Sequence, residues 1–500
     1  MNGISRRSFL AVTGAGAAAV TLAGCNVVST SSVSEPDAYD TALPIPPLAE
    51  SEVIDGVRTF RITAQPGTTE FRPDVDTPTW GWDGAYGGPT MRAAVGERVA
   101  VEVTNGLDEA TSAHWHGMHL PPDMDGGPHQ MIVPGDTWRA EWLINQAPCT
   151  LWYHPHPHGA TERHVYRGLA GLFYLDPAPG SDEAAVYGQL PHTYGVDDIP
   201  VVISDKRLSD GGELVFDDGG NEVGLLGNVV TVNGVTGAVL RVSTERVRLR
   251  LLNASTARTY SLGLPGRTFQ LVATDGGLLR GPVELEKIRL SPGERAEVVV
   301  AMEPGEQVML HSFEPDLGNM IVPFAVGAND EFDVLRIEAE GELSSSEEVP
   351  GELTAFGQDP EQATVRREFR LSGRQINDAR MDMARIDETV EVGTTEIWTV
   401  INDDPSPHNF HVHDVQFEVI SVGGSEPSPE LRGRKDTVYL EPGRAVELLM
   451  TFEDYADPQW PYMYHCHLLR HEDEGLMGQF VVVNPGERAD PSMIAGHAHH

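Results

Sequence analysis

The feature that most limits what this chain can fold into is a repeat. Val99-Ala-Val-Glu-Val-Thr-Asn105, Val247-Arg-Leu-Arg-Leu-Leu-Asn253 and Ile397-Trp-Thr-Val-Ile-Asn402 share one form, the third more loosely: alternating character closed by Asn. The three Asn are spaced by 148 and 149 residues. A period of two belongs to a strand with one face on a core. A second landmark follows each strand: Pro134-Gly135, Pro292-Gly293 and Pro442-Gly443, each leading into another alternating run. Pro fixes one φ and Gly permits a positive one, so each pair reads as a turn. Two landmarks in the same order, three times over, imply three homologous β-domains. They run from about Leu43 to Pro179, Gln189 to Glu340 and Leu353 to Asn484, with an acidic, Ser-rich linker at 341–352. Each is the size of an antiparallel β-sandwich with Greek-key connections, so the expected class is all-β.

The ends read differently. Arg6 and Arg7, in Ser5-Arg-Arg-Ser-Phe-Leu10, resemble a twin-arginine export signal, and Leu22-Ala-Gly-Cys25 resembles a lipobox. The apolar stretch between them is too short and glycine-rich for a membrane span. Residues 1–25 are therefore expected to be an export signal, and 26–42, with its serines from Ser29 to Ser34, a flexible tether. Contact with a membrane is expected only through a lipid on Cys25, and the protein is expected at the cell envelope or secreted, as a monomer. Residues 485–500, ending Gly496-His-Ala-His-His500, read as a frayed tail. With 75 acidic and 35 basic residues the net charge is −40. That opposes nucleic-acid binding, which needs clustered Lys and Arg. Three cysteines make no disulfide scaffold; Cys149 reads as a buried free thiol.

The chemistry lies in the histidines. The first repeat carries His114-Trp-His116 and His154-Pro-His156; the third carries His408-Asn-Phe-His411-Val-His413 and His465-Cys466-His467, with His471 close behind. The same places in the second repeat hold Thr259-Tyr-Ser and Met309-Leu-His311. In a strand, His-x-His turns both rings to one face. Four such pairs supply eight imidazoles able to converge between the first and third domains. Imidazole suits copper, zinc, iron or nickel. The remaining set, His408, Cys466 and His471, has the two imidazoles and one thiolate of a blue-copper electron-transfer site. Cys466 is covalently continuous with His465 and His467, a connection that redox-inert zinc has no use for.

These motifs, in this order across the whole mature chain, resemble those of the multicopper oxidases, the laccase-like family with three cupredoxin domains. The resemblance implies four copper ions. It implies type 1 ligands at His408, Cys466 and His471, and type 2 ligands at His114 and His411. It implies type 3 ligands at His116, His154, His156, His413, His465 and His467. The ten histidines and the cysteine of the family pattern are all present. The axial type 1 position, often Met, falls on Leu476, with Met477 as the alternative. Glu472 and Asp125 resemble family acids that move protons to the oxygen-reducing cluster, each weighed against a solvated surface acid. Asp436 reads either as an acid binding a phenol proton or cuprous ion, or as a plain strand-end acid. His119, His129, His158 and His164 read as supporting or loop residues.

The function implied is four-electron reduction of O2 to water, driven by one-electron oxidation of phenols or aromatic amines. No dense Met-rich insertion gathers Cu(I), which lowers the cuprous-oxidase reading. A non-enzymatic copper-binding envelope protein is the alternative from another class.

Overall fold

The structure is a computed structural model describing residues 33–494 apart from 35, 37, 218 and 219. The export signal, the lipobox, most of the serine run and the final histidines lie outside the described residues. No helix among the described residues is long and apolar enough to cross a membrane.

Six sheets pair into three sandwiches. Each repeat strand sits inside its sheet in the same way. Arg98–Asn105 runs parallel to Val57–Arg72, Arg246–Asn253 to Asp198–Lys206, and Thr394–Asn402 to Val365–Ser372. On its other side each pairs antiparallel with the strand after the Pro-Gly turn, Thr137–Leu143, Arg295–Ala301 and Ala445–Phe452. The sheets are thus mixed rather than purely antiparallel. In every unit the chain crosses to the opposite sheet, through Met91–Ala94, Ala238–Thr244 or Glu388–Glu391, before it returns. A strand that returns by a crossover lies parallel to its predecessor.

The alternation puts one apolar face of each sheet on a core; in the second repeat the other face, with Arg248 and Arg250, is buried as well. In the first sandwich Val99, Val101 and Val103 meet Leu151, Tyr153 and Phe173 from the facing sheet. Val247, Leu249 and Leu251 meet Leu262 and Leu335 in the second. Trp398 and Val400 meet Phe410, Tyr464 and Phe480 in the third.

The closing Asn has one task three times. Its Nδ2 donates to two backbone carbonyls: Glu109 and Ile132 for Asn105, Arg258 and Leu290 for Asn253, Ser406 and Leu440 for Asn402. Its Oδ1 accepts the amide two residues on. Its own carbonyl accepts the amide of the Pro-Gly glycine, at 2.8, 2.9 and 2.8 Å, each glycine having positive φ. The two landmarks recur together because they are one hydrogen-bonded unit.

The expected linkers are less free than their composition suggests. Thr41–Ala42 pairs with Ala238–Val239 on the middle sandwich, so the tether ends before residue 41. Strand Phe332–Ser344 takes the start of the 341–352 linker, and Ser346 Oγ accepts from Arg246 N. In the tail Asp490 N donates to Pro458 O at 2.8 Å and Ile494 is buried. Polar side chains in these segments face water while the backbone bonds inward.

Candidate metal centres

Strand register brings the histidines together. His114 lies opposite His154 in the ladder of His114–His116 with Thr150–His154. His411 lies opposite His465 in that of His408–Val412 with Tyr462–His465. The two hairpin-like ends meet across the boundary between the first and third sandwiches. Ring centroids of His114 and His413 stack at 3.9 Å, and those of His116 and His411 at 3.8 Å. His156 Nε2 is 3.2 Å from His465 Nε2, and His413 Nε2 is 3.3 Å from the same atom. His467 stands with its ring centroid 4.9 Å from that of His116 and 5.3 Å from that of His154. All eight are buried.

Hydrogen bonds assign the tautomers. Nδ1 donates outward in five rings: His114 to Asp125 O, His154 to Pro155 O, His411 to Asp436 O, His465 to Cys466 O and His413 to Asp125 Oδ2. Their Nε2 lone pairs therefore face inward. His116 is reversed: Nε2 donates to Asp436 Oδ1 at 3.0 Å, and its Nδ1 faces His154 Nε2 at 3.4 Å. Lone pairs facing one another at such distances repel unless a cation lies between them. His114 Nε2, His411 Nε2 and both nitrogens of His467 are buried with no hydrogen-bond partner. Burial, followed by the neighbouring imidazoles, holds His116, His156, His411, His413 and His467 well below the usual histidine range. Burial also lowers His154, and takes His465 to about 3. Eight buried imidazoles, six of them with a lone pair turned inward by an outward hydrogen bond, are a donor set for a transition metal and fit copper.

The second cluster lies on the other face of the same strand. His408 and His411 are three apart, so they point oppositely. Cys466 Sγ is 3.4 Å from His408 Nδ1 and 3.6 Å from His471 Nδ1, and the two nitrogens are 3.0 Å apart. His408 Nε2 donates to Asp404 Oδ2 at 2.9 Å and His471 Nε2 to Glu222 O at 2.8 Å, which leaves both Nδ1 lone pairs toward the sulfur. Leu476 packs in the same apolar cluster as Cys466. Met477 pairs with His465 in the ladder, one residue out of phase, and lies outside that cluster.

The expected acids divide. Asp125 is buried, with Oδ2 2.7 Å from His413 Nδ1 and Oδ1 3.3 Å from His114 Nδ1. Glu472 is buried, its oxygens 3.3 and 3.2 Å from Nδ1 of His156 and His465. Burial and then the charge of Asp473 push Glu472 well above the carboxylate range. Neither is a surface acid. Asp436 needs correction: it is fully buried, bonded to His116 and held by both terminal nitrogens of Arg295 at 2.6 Å, so no dissolved phenol or cuprous ion reaches it. It precedes the strand Thr437–Leu440, whose Thr437 pairs with His411, a placement its sequence neighbours do not reveal. The acid beside the outer cluster is Asp404, which the sequence reading passed over. Its place four residues before His408 was the only signal.

Arg295 was also missed. It comes from the middle sandwich, grips Asp436 of the third and donates from Nε to Thr150 O of the first. The equivalent positions in the other repeats hold Thr137 and Ala445, and that departure was the available signal. The middle unit therefore does more than space the others. Its Gly293 turn abuts the cluster: a Cβ there would come within 3.2 Å of both His116 and His467. At Gly117, φ +84°, a Cβ would strike Asp436 and Arg295.

His119, His129 and His164 support the fold. His119 bridges Asp414 at 2.7 Å and Asp454 at 2.6 Å. His129 contacts Gln479, and His164 contacts Glu109 and Thr111. His158 is exposed. Cys149 is free and buried, its thiol pushed by burial to about 12.

Three stacked sandwiches with two buried His and His-Cys donor clusters define a copper protein. Three family models described as multicopper oxidase match residues 63–180, 208–316 and 344–486. A multicopper oxidase of Staphylococcus haemolyticus is 34% identical, over 88% of this chain and 92% of that one. A protein of Photorhabdus laumondii named cell division protein FtsP is 36% identical, over 96% and 98%. A solved laccase-like multi-copper oxidase, CueO from Ochrobactrum sp., superposes with a TM-score of 0.80 at 34% identity, covering 88% of this chain and all of that one. The chain belongs to the multicopper oxidase family: it is an oxidoreductase whose cofactor is copper.

Proposed function

We propose that the protein oxidises phenols or aromatic amines one electron at a time and reduces O2 to water. The observation that carries this is Cys466. Its sulfur belongs to the outer cluster while its two covalent neighbours, His465 and His467, belong to the inner one, so a single tripeptide links two donor sets. When bound, copper supplies the redox chemistry: one-electron oxidation at His408, Cys466 and His471, and four-electron reduction of O2 at the eight histidines. The chain orients and excludes. Asp125, Asp436 and backbone carbonyls fix the ring tautomers, and burial keeps bulk water from the inner rings. Glu472, against His156 and His465, is positioned to hold a proton beside the cluster.

Reductant meets the outer cluster through Asp404, whose side chain is 19% exposed and bonded to His408. Exposed Met320, Val322 and Phe324 on the middle-sandwich loop near Gly443 offer apolar surface to an aromatic molecule. The Ochrobactrum enzyme is described as oxidising lignin model compounds and lignosulfonate, which favours this substrate class. Among the described residues the exposed methionines, Met131, Met320 and Met493, stand singly, which counts against a cuprous oxidase. The relative named for cell division is as similar overall as the oxidases, so identity does not separate them; the complete donor set favours an oxidase over a non-enzymatic copper-binding or division protein. Export through the Arg6-Arg7 signal, a lipid on Cys25 and a monomeric state complete the proposal.

The test is copper-loaded protein. We expect an intense blue absorption band and O2 consumption with phenol without peroxide release. We also expect kcat/KM for phenols to exceed that for Cu(I), with and without added copper. Absence of the blue band overturns the oxidase reading, and a preference for Cu(I) overturns the substrate.

A further inference from the structure

A second site lies away from both clusters, between the first and middle sandwiches. Its cavity holds about 260 Å³. One wall is Pro44, Ile45, Pro46 and Pro47; the others include Trp82, Tyr86, Leu172 and Lys206. The proline wall is fixed: Asn233 Nδ2 donates to Pro44 O, Tyr194 Oη to Pro46 O, and Thr90 N to Pro47 O. The site is preformed, as small-molecule sites are.

Lys206 makes the cavity chemical. It is 1% exposed. Its ammonium lies 4.8 Å from the ring centroid of Tyr166 and 5.6 Å from that of Tyr86. Among the described residues it has no carboxylate within ion-pairing distance and no hydrogen-bond acceptor. Lys435, the other buried lysine, is paired with Asp275 and Glu294. Asp205, next in sequence to Lys206, bonds Arg258 and Gly227 N through Oδ2, and its buried Oδ1, which has no partner, lies beyond ion-pairing distance of Lys206. Asp83 lines the mouth but is exposed, its Oδ1 accepting from Thr63 N. Trp82 Nε1, on the same wall, is also buried with no acceptor. A buried ammonium without a partner is costly, and aromatic faces offset only part of that cost. In a chain with 75 carboxylate residues, leaving this one cation unpaired calls for an anion from outside.

We propose that this cavity binds a small aromatic monocarboxylate, its carboxylate on Lys206 and its ring against Trp82, Tyr86 and the prolines. A cavity of about 150 Å³ holds benzene, so this one has room for a ring and one carboxylate. One cation sets the charge at one. The site is independent of copper and of the oxidase reading.

Benzoate titrated into the full chain, followed by calorimetry and Trp fluorescence, tests it. We expect saturable one-to-one binding, at least tenfold weaker for neutral benzamide and for Lys206→Met. Val202→Phe, which narrows the cavity and keeps Lys206, should also lose binding. Benzamide on the unaltered protein keeps the test decisive should either variant fail to fold. No saturable binding, equal binding of benzamide, or binding that survives Lys206→Met, as uptake of benzoate at the copper clusters would, overturns the proposal.

Discussion

At the residue scale, the inner donors were legible and the acids were only partly so. His-x-His spacing fixes the face on which a ring stands, and pairing four such motifs needed only the repeat. Whether an acid is buried depends on strands far away in sequence. Asp436 and Asp404 could not be ranked until the fold put one under Arg295 and the other beside His408. Leu476 yields a direct expectation. Copper held by His408, Cys466 and His471 beside the apolar Leu476 would lack a further weak donor from this position, which would favour Cu(I) over Cu(II). Leu476→Met should lower the type 1 potential, and a drop of about 59 mV corresponds to a tenfold change in the redox ratio. Redox titration of the blue band reads it, and an unchanged potential would defeat the axial assignment. Glu472→Gln keeps the shape and removes the transferable proton. O2 reduction should slow about 10²-fold or more, with the blue band intact in the absorption spectrum. Loss of the band would mean that Glu472 only holds the rings.

At the element scale, the repeat marked strands correctly because a strand with one apolar face on a core must alternate, even where, as at Arg248 and Arg250, the polar face is buried in ion pairs. The crossovers stayed hidden: a strand that changes sheet carries the same alternation as one that does not. The closing Asn is the hinge of each unit, joining strand end, loop and Pro-Gly turn. Asn253→Ala in the middle sandwich leaves Arg258 O, Leu290 O and Ser255 N without their partner. Each buried group left unpaired costs about 1–3 kcal/mol. The variant should unfold at a clearly lower temperature in calorimetry. It should also weaken the inner cluster, since Gly293, tied to Asn253 O, abuts His116 and His467. An Asn253→Ala protein with unchanged Tm would deny the unit its structural role.

At the scale of the whole molecule, charge is sorted into buried pairs and a negative exterior. Arg248 and Arg250 with Glu297 and Asp198, Arg258 with Asp205, and Arg295 with Asp436 are all buried ion pairs. His119 clasps the first sandwich to the third. Burial opposes its charge, but Asp414 and Asp454 outweigh it and raise the imidazole to about 10, while Tyr455 packs on its ring. Burial keeps Asp414 itself above its usual range despite that pull. A raised pKa stabilises fully below the unfolded value of about 6.5 and is lost as pH rises through about 10. His119→Gln should therefore lower Tm at pH 6 and match the unaltered protein above pH 10.5; an equal deficit at both would remove the ionic clasp. These buried pairs cancel, so most of the net charge of −40 lies outside the core. Sequence composition gave that sum but not its location. A surface of one sign attracts opposite charges over a Debye length, about 30 Å at 0.01 M salt and 10 Å at 0.1 M. On the proposed function, reductants dock at the outer cluster, beside the partly exposed Asp404. For a cationic aromatic diamine kcat/KM should fall as salt rises from 0.01 to 0.1 M, and for a sulfonated phenol it should rise. A neutral phenol should change little, which separates steering from any effect of salt on the copper sites. Parallel salt responses for all three would mean that the docking surface does not share the charge of the whole.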